Sequence, residues 1–145
     1  MAMPGGRVVF LSGLINEMRS ENEIAFVLAH ELGHLAHRDH LRGLGRALVL
    51  MMLSVVIFGE DSVPAEVFNT FTTGMHLDYS RQQEIKADLY ALDMLVEVYG
   101  HAGGAVEALE RLHPKEGRKS FLGEAHPRAA ERIEAVLGRM EEKFY

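Results

Sequence analysis

Between Ser20 and His34 the chain reads SENEIAFVLAHELGH: a cap, an unbroken apolar run, then two histidines four residues apart. No other stretch constrains the fold as tightly. Ser20-Glu21-Asn22-Glu23 has the form of a capping box, which satisfies orphan backbone donors at a helix start. Residues 24–29 follow with no polar side chain, so the helix must be buried on most sides. It should run through His34 to about His37. At about 100° per residue, His30 and His34 stack on one face. Two imidazoles so placed converge on one tetrahedral ion, with Zn–N distances near 2.0–2.1 Å. Glu31 is displaced by one residue, beside that face, where a general base is needed. The five residues fit HExxH, a pattern used in zinc hydrolysis, although HExxH alone arises by chance in many helices.

Two imidazoles do not complete such a site, and three rivals for the third ligand stand in the sequence. His37 lies on roughly the same face as His34, and three ligands in a row along one straight helix cannot surround a tetrahedral ion. His40 has the metzincin spacing HExxHxxGxxH, but His37 occupies the glycine position where the chain must turn. Both histidines are also explained as polar residues at a helix C-terminus, where partial positive charge is favoured. Glu84 is the better-placed candidate. It sits early on a helix opened by a second capping box, Ser80-Arg81-Gln82-Gln83, and ended by Gly100. Asp88 shares its face one turn later, placed to accept the free N–H of a ligating histidine, and the small Ala87 allows close helix approach. Glu84 with His30 and His34 would make the His₂Glu set of zinc hydrolases.

Elsewhere the pattern predicts a mainly helical α+β domain with a small sheet. Residues 7–12 (RVVFLS) read as a strand bounded by glycines. Residues 47–58 (ALVLMMLSVVIF) are the most apolar stretch, extendable back to Leu44 but short of a confident membrane span. It is expected to be a buried core helix or oligomer contact, or a helix at a membrane edge, and periodicity cannot separate these. A short helix is expected within 63–75, another over 102–112, and a polar loop over 114–125. His126-Pro127 should open a last helix carrying Ile133, Val136, Leu137 and Met140 on one face.

At 145 residues the chain should be one domain with a single core. A net charge of −6 with no basic stripe argues against nucleic acid as a partner. The absence of cysteine removes disulfides, thiolate zinc sites and cysteine nucleophiles. MAMPGGRVVF carries no export signal, and the abrupt start is expected of an excerpt or of a chain whose leader has been removed.

The ordered stretches PGGRVVFLSGL, ENEIAFVLAHELGHLAHRDH, SRQQEIKADLYAL and AHPRAAERI resemble the HtpX-like and CaaX prenyl endopeptidase family of gluzincin metallopeptidases. They cover most of the chain. The resemblance implies a zincin-like catalytic domain over residues 1–145, lacking upstream elements of a longer protein. It implies one Zn²⁺ held by His30, His34 and Glu84, with Glu31 as general base and acid. It also implies that His126 and Arg132, from the HPxxxxR pattern, face the cleft and steady the substrate carbonyl as an oxyanion forms. Arg7, Val8, Val9, Phe10 and Leu11 would be the edge strand that pairs with an extended peptide. The implied function is zinc-dependent hydrolysis of peptide bonds in extended or misfolded proteins, in a bacterial cell envelope, periplasmic or membrane-associated. Leu44 to Phe58 would meet a membrane surface or a second copy. The rival reading is a zinc-containing peptide-binding or chaperone-like module that does not cut, against which an intact Glu31 speaks.

Overall fold

A computed structural model describes residues 2–3, 6–59, 79–112 and 129–144. The helix expected within 63–75, the loop over 114–125 and the His126-Pro127 helix start lie outside the described residues. What is described is mainly helical.

The chain opens with a minimal hairpin. β1 (Ala2–Met3) pairs antiparallel with β2 (Arg7–Val8), Ala2 opposite Val8 and Met3 opposite Arg7. The strand expected over 7–12 is therefore only two residues long. Val9 and Phe10 lie outside it, and Leu11 is already the N-cap of an unforeseen helix, α1 (Ser12–Glu17). Strand propensity in RVVFLS is real, but a strand lasts only as long as its partner, and β1 offers two residues.

α2 (Glu21–Ala36) begins where the cap predicts. The Ser20 hydroxyl accepts from the Glu23 N–H at 3.2 Å. The reciprocal half of the expected box takes a different course: the Glu23 carboxylate accepts from the Arg19 N–H at 2.9 Å and from Arg111 Nε at 2.7 Å. Local capping is thus exchanged for a tie to a distant helix. The second box forms fully at Ser80 and Gln83, opening α4 (Arg81–Tyr99), which ends at Gly100 with φ +75°.

α2 and α4 pack directly against each other. A Cβ on Gly33 would stand 3.0 Å from Ala87 Cα and 3.2 Å from its carbonyl oxygen, so only glycine permits this approach. α5 (Ala105–Leu112) and α6 (Ala129–Phe144) close the core. Phe26, Leu92, Leu95, Leu109 and Val136 are fully buried in it, each contributing about 1.5–3 kcal/mol by leaving water. Of the stripe expected on α6, Val136 is buried and Ile133 and Met140 pack against the core. Leu137 instead is 45% exposed, because it lies one step round the helix from Val136, past the edge of the contact.

In chain order α3 (Asp39–Phe58) follows α2. The chain leaves α2 at His37, turns at Arg38 in the left-handed region (φ +56°) and re-enters a helix at Asp39. The expectation of a buried core helix over 47–58 is corrected: Val56 is 81% exposed and Ile57 67%. At 20 residues, α3 is longer than its apolar core, because the helix begins eight residues before Ala47. By length and composition it can cross a membrane.

Candidate metal centre

The α2–α4 contact buries four ionisable groups of the expected site, and nearly all of their polar atoms face one another. His30 is 5% exposed, His34 0%, Glu84 1% and Asp88 0%. His30 and His34 come from successive turns of α2, and Glu84 from the first turn of α4 opposite. His30 Nε2 and His34 Nε2 are 3.1 Å apart. His30 Nε2 lies 3.7 Å from Glu84 Oε2, and His34 Nε2 3.3 Å from Glu84 Oε1. A tetrahedral zinc site with bonds near 2.05 Å has donor–donor edges of about 3.3 Å. The three residues fit such an ion.

The tautomers strengthen the fit. His30 Nδ1 is 2.8 Å from Asp88 Oδ1, and His34 Nδ1 is 3.0 Å from Asp39 Oδ2. With both Nδ1–H groups donated to carboxylates, both Nε2 lone pairs point towards the Glu84 oxygens. Three donors so gathered in a buried place can offer their lone pairs to one ion. The rings differ in proton affinity. Burial dominates at His30 and lowers its pKa despite Asp88. At His34 burial acts the same way, but hydrogen bonding and charge from Glu84, with Asp39 and Glu31, outweigh it and raise the pKa. A proton at His34 would compete with a metal for the same lone pair.

Glu31 follows His30 on α2 and is 1% exposed. Among the described residues the clustered ligand atoms belong to His30, His34 and Glu84. His40 is buried but not part of that cluster, since the restart of a helix at Asp39 sends it elsewhere; its Nδ1 has no hydrogen-bond partner among the described residues. The ring of His37 meets Tyr90 edge-on, with centroids 6.0 Å apart.

Arg132 is 3% exposed and engages carboxylates of the site. Its Nε and Nη2 grip Asp88 at 2.6 and 2.8 Å, and its Nη1 pairs with Glu84 Oε2 at 2.9 Å. The guanidinium outweighs the burial of Asp88 and holds that carboxyl below its ordinary pKa. Arg132 therefore neutralises and orients the carboxylates of Glu84 and Asp88 on α4. His126 lies outside the described residues.

Sequence reasoning missed three neighbours. Asp39 pairs with His34, Gln83 Nε2 donates to Asp39 at 2.9 Å, and the ring of Tyr79 stacks on that of His34 with centroids 3.8 Å apart. Burial, helped by the charges of Glu31, Asp39 and Glu84, pushes the Tyr79 hydroxyl pKa up, so it stays protonated. For Asp39 no signal was readable, because its approach depends on a left-handed turn at a non-glycine residue. Gln83 was visible only as a cap.

Among proteins of known role, the chain is 29% identical to metalloprotease LoiP of Escherichia coli (strain K12) and 30% identical to metalloprotease YcaL of the same organism. Each match covers 96% of this chain and 57% of the relative, so the chain spans little more than half the length of these proteins. It is also 33% identical, over 64% of its length, to 19% of the mitochondrial metalloendopeptidase OMA1 of Arabidopsis thaliana. No solved structure matches it. The family model of peptidase family M48 matches residues 1–140, a span that contains both helices of the ligand triangle. The chain belongs to peptidase family M48, the zinc metallopeptidases.

Proposed function

We propose that this chain is the catalytic unit of a zinc-dependent endopeptidase acting on extended or misfolded protein segments. The observation that carries the reading is the triangle of His30 Nε2, His34 Nε2 and Glu84, with separations of 3.1, 3.7 and 3.3 Å and both histidine Nδ1 atoms on carboxylates. His30, His34 and Glu84 would hold one Zn²⁺. When bound, zinc supplies Lewis acidity that brings the pKa of water to about 7 and polarises a carbonyl.

The rest of the chemistry falls to the chain. Glu31, beside His30, takes the proton of the attacking water and later delivers a proton to the leaving amine. Asp88 keeps His30 in the tautomer that presents Nε2, and Arg132 steadies Asp88 and Glu84 together. Arg132 thus serves the substrate carbonyl through the ligand frame. His126, by its place in the HPxxxxR pattern, is the side chain proposed to meet the developing oxyanion. The outer edge of β2 at Arg7 and Val8 would receive an extended peptide as an added strand, with Val9, Phe10 and Leu11 continuing past it. Sequence independence of such backbone pairing suits broad cleavage.

The finer kinship with HtpX-like and CaaX prenyl endopeptidases rests on shared motif order, as does a place in a bacterial cell envelope. α3 supports membrane association over a contact with a second copy. Its exposed apolar residues, among them Leu48, Val49, Leu50, Met52, Leu53 and Val56, cover roughly half of the helix surface, wider than a single narrow stripe. At about 1.5 Å per residue its apolar stretch, 47–58, covers about 18 Å, less than a bilayer core of about 30 Å, which suits a helix seated at a membrane edge.

The mechanism is tested with Glu31→Gln. Zinc content by elemental analysis should stay at wild-type stoichiometry while cleavage of an unfolded protein falls by at least about 10³-fold. Digestion at the wild-type rate would end this reading. Binding of extended peptide by the wild-type, zinc-loaded chain with no cleavage would favour the peptide-binding module instead.

A further inference from the structure

Asp39 is the first residue of α3, yet it belongs to the metal centre. It is 1% exposed, and both of its oxygens are occupied. Oδ2 lies 3.0 Å from His34 Nδ1. Oδ1 accepts from Gln83 Nε2 at 2.9 Å, with Arg42 Nη1 at 3.5 Å. Gln83 Oε1 in turn accepts from the Ser80 N–H at 2.9 Å. The residue after Gln83 is Glu84, whose Oε1 returns to His34 Nε2 at 3.3 Å. The contacts close a ring through three helices: His34 on α2, Asp39 on α3, Gln83 and Glu84 on α4.

The polarity of that ring is determined at one point. The Ser80 N–H can only donate, so Gln83 must present its oxygen to Ser80 and its NH₂ to Asp39. Asp39 is then an acceptor towards both neighbours. His34 must carry its proton on Nδ1, leaving the Nε2 lone pair directed at the ligand triangle. His34 sits in the last turn of α2, two residues before the helix ends, where the backbone alone holds a ring least firmly.

We infer that Asp39 and Gln83 are a positioning pair, which sets the tautomer and tilt of His34 and registers it against Glu84. Asp88 and Arg132 do the corresponding work for His30. The inference rests on the reading of His30, His34 and Glu84 as metal ligands and adds a second support to that site. It also makes the cap of α4 part of the centre: the residue that starts the helix holds the neighbour of one ligand in place.

The experiment uses the chain with and without zinc. Zinc affinity is measured by competition with a chromogenic chelator, the His34 tautomer in the metal-free chain by ¹⁵N NMR, and folding by a thermal melt. Asp39→Ala should weaken zinc binding about 10- to 100-fold and let His34 populate both tautomers. Asp39→Asn sets one NH₂ against another, and Gln83→Glu sets one carboxylate against another, so each should weaken zinc by a similar factor. The double variant D39N/Q83E reverses the polarity: the new amide accepts from His34 and donates to the new carboxylate, which still accepts from Ser80. It should recover most of the zinc affinity and the single tautomer.

If Asp39→Ala does not fold, the two exchanges and their combination decide. Wild-type affinity and tautomer in both single exchanges, or a double variant no better than the worse single one, would overturn the pair. Glu84→Ala separates this from the larger reading. Full zinc retention there would refute the metal centre itself, whereas zinc loss there with neutral D39N and Q83E would refute only the positioning pair.

Discussion

α2 and α3 are consecutive helices two residues apart, and their surroundings are the reverse of what their side chains suggest. α2 carries His30, Glu31 and His34 into the interior, all at 5% exposure or less. α3 carries a longer apolar run and leaves it outside, with Val56 81% exposed. Polarity of a side chain therefore did not decide burial here. The ionisable groups of α2 are tolerated inside because carboxylates, an arginine and one another answer their charges. The apolar groups of α3 are outside because, past its first turns, no described element lies along the helix. One helix is specified by its partners within the chain. The other leaves its apolar side chains exposed among the described residues.

The contrast can be broken most forcefully by truncating one residue in each region. Leu92→Ala, at a fully buried core position on α4, should cost about 2–5 kcal/mol in chemical denaturation. Val56→Ala on α3 should stay within about 0.5 kcal/mol of wild type. Equal losses would mean that α3 is as much a part of the cooperative core as α4 is.

Gly33→Ala probes the closeness of α2 and α4. The added Cβ would meet Ala87 backbone at 3.0 Å, and backbone cannot step aside as a flexible side chain does. A loss of about 1–3 kcal/mol is expected, together with weaker zinc binding because Glu84 and the histidines sit on the two helices being forced apart. Unchanged stability with unchanged zinc affinity would show that the interhelical gap is softer than its geometry implies.

A smaller effect concerns acid. Burial raises the Glu23 pKa, but the Arg19 N–H and Arg111 outweigh it, so the net shift is downward. A carboxyl depressed on folding adds stability that is fully present above its unfolded pKa, about 4.3. The contribution is lost as pH falls from there through the folded value. Arg111→Met should flatten the stability loss between about pH 5 and 3 relative to wild type, as followed by urea melts. Identical acid limbs would show that the α2–α5 tie contributes nothing.

The smallest expected change is at the hinge between the two helices. Arg38 has φ +56°, which strains a residue with a Cβ by about 1 kcal/mol. Arg38→Gly removes that strain but gains freedom when unfolded, so a net stabilisation of at most about 0.5 kcal/mol is expected in the same melts. A clear destabilisation would mean the Arg38 side chain itself holds the turn.

The local features of this chain were legible in its residues. The two caps, the end of α4 at Gly100 and the shared face of His30 and His34 depend on hydrogen bonds and angles spanning four residues or fewer. Glu84 and Asp88 were legible for a related reason, since their i, i+4 spacing beside a small residue marks a helix face built for close approach. What stayed hidden depended on distant partners. Strand 7–12 shrank to two residues because β1 is that short, and Glu23 turned from its own cap towards Arg111. Arg132 was engaged by Asp88 and Glu84, more than forty residues away in sequence. By itself the sequence determined which side chains can share a helix face, because helical periodicity is intrinsic to the backbone. Only the tertiary structure decided that Asp39 would complete the setting of His34 and that α3 would point away from the other described helices, because both follow from where a left-handed turn at Arg38 sends the chain.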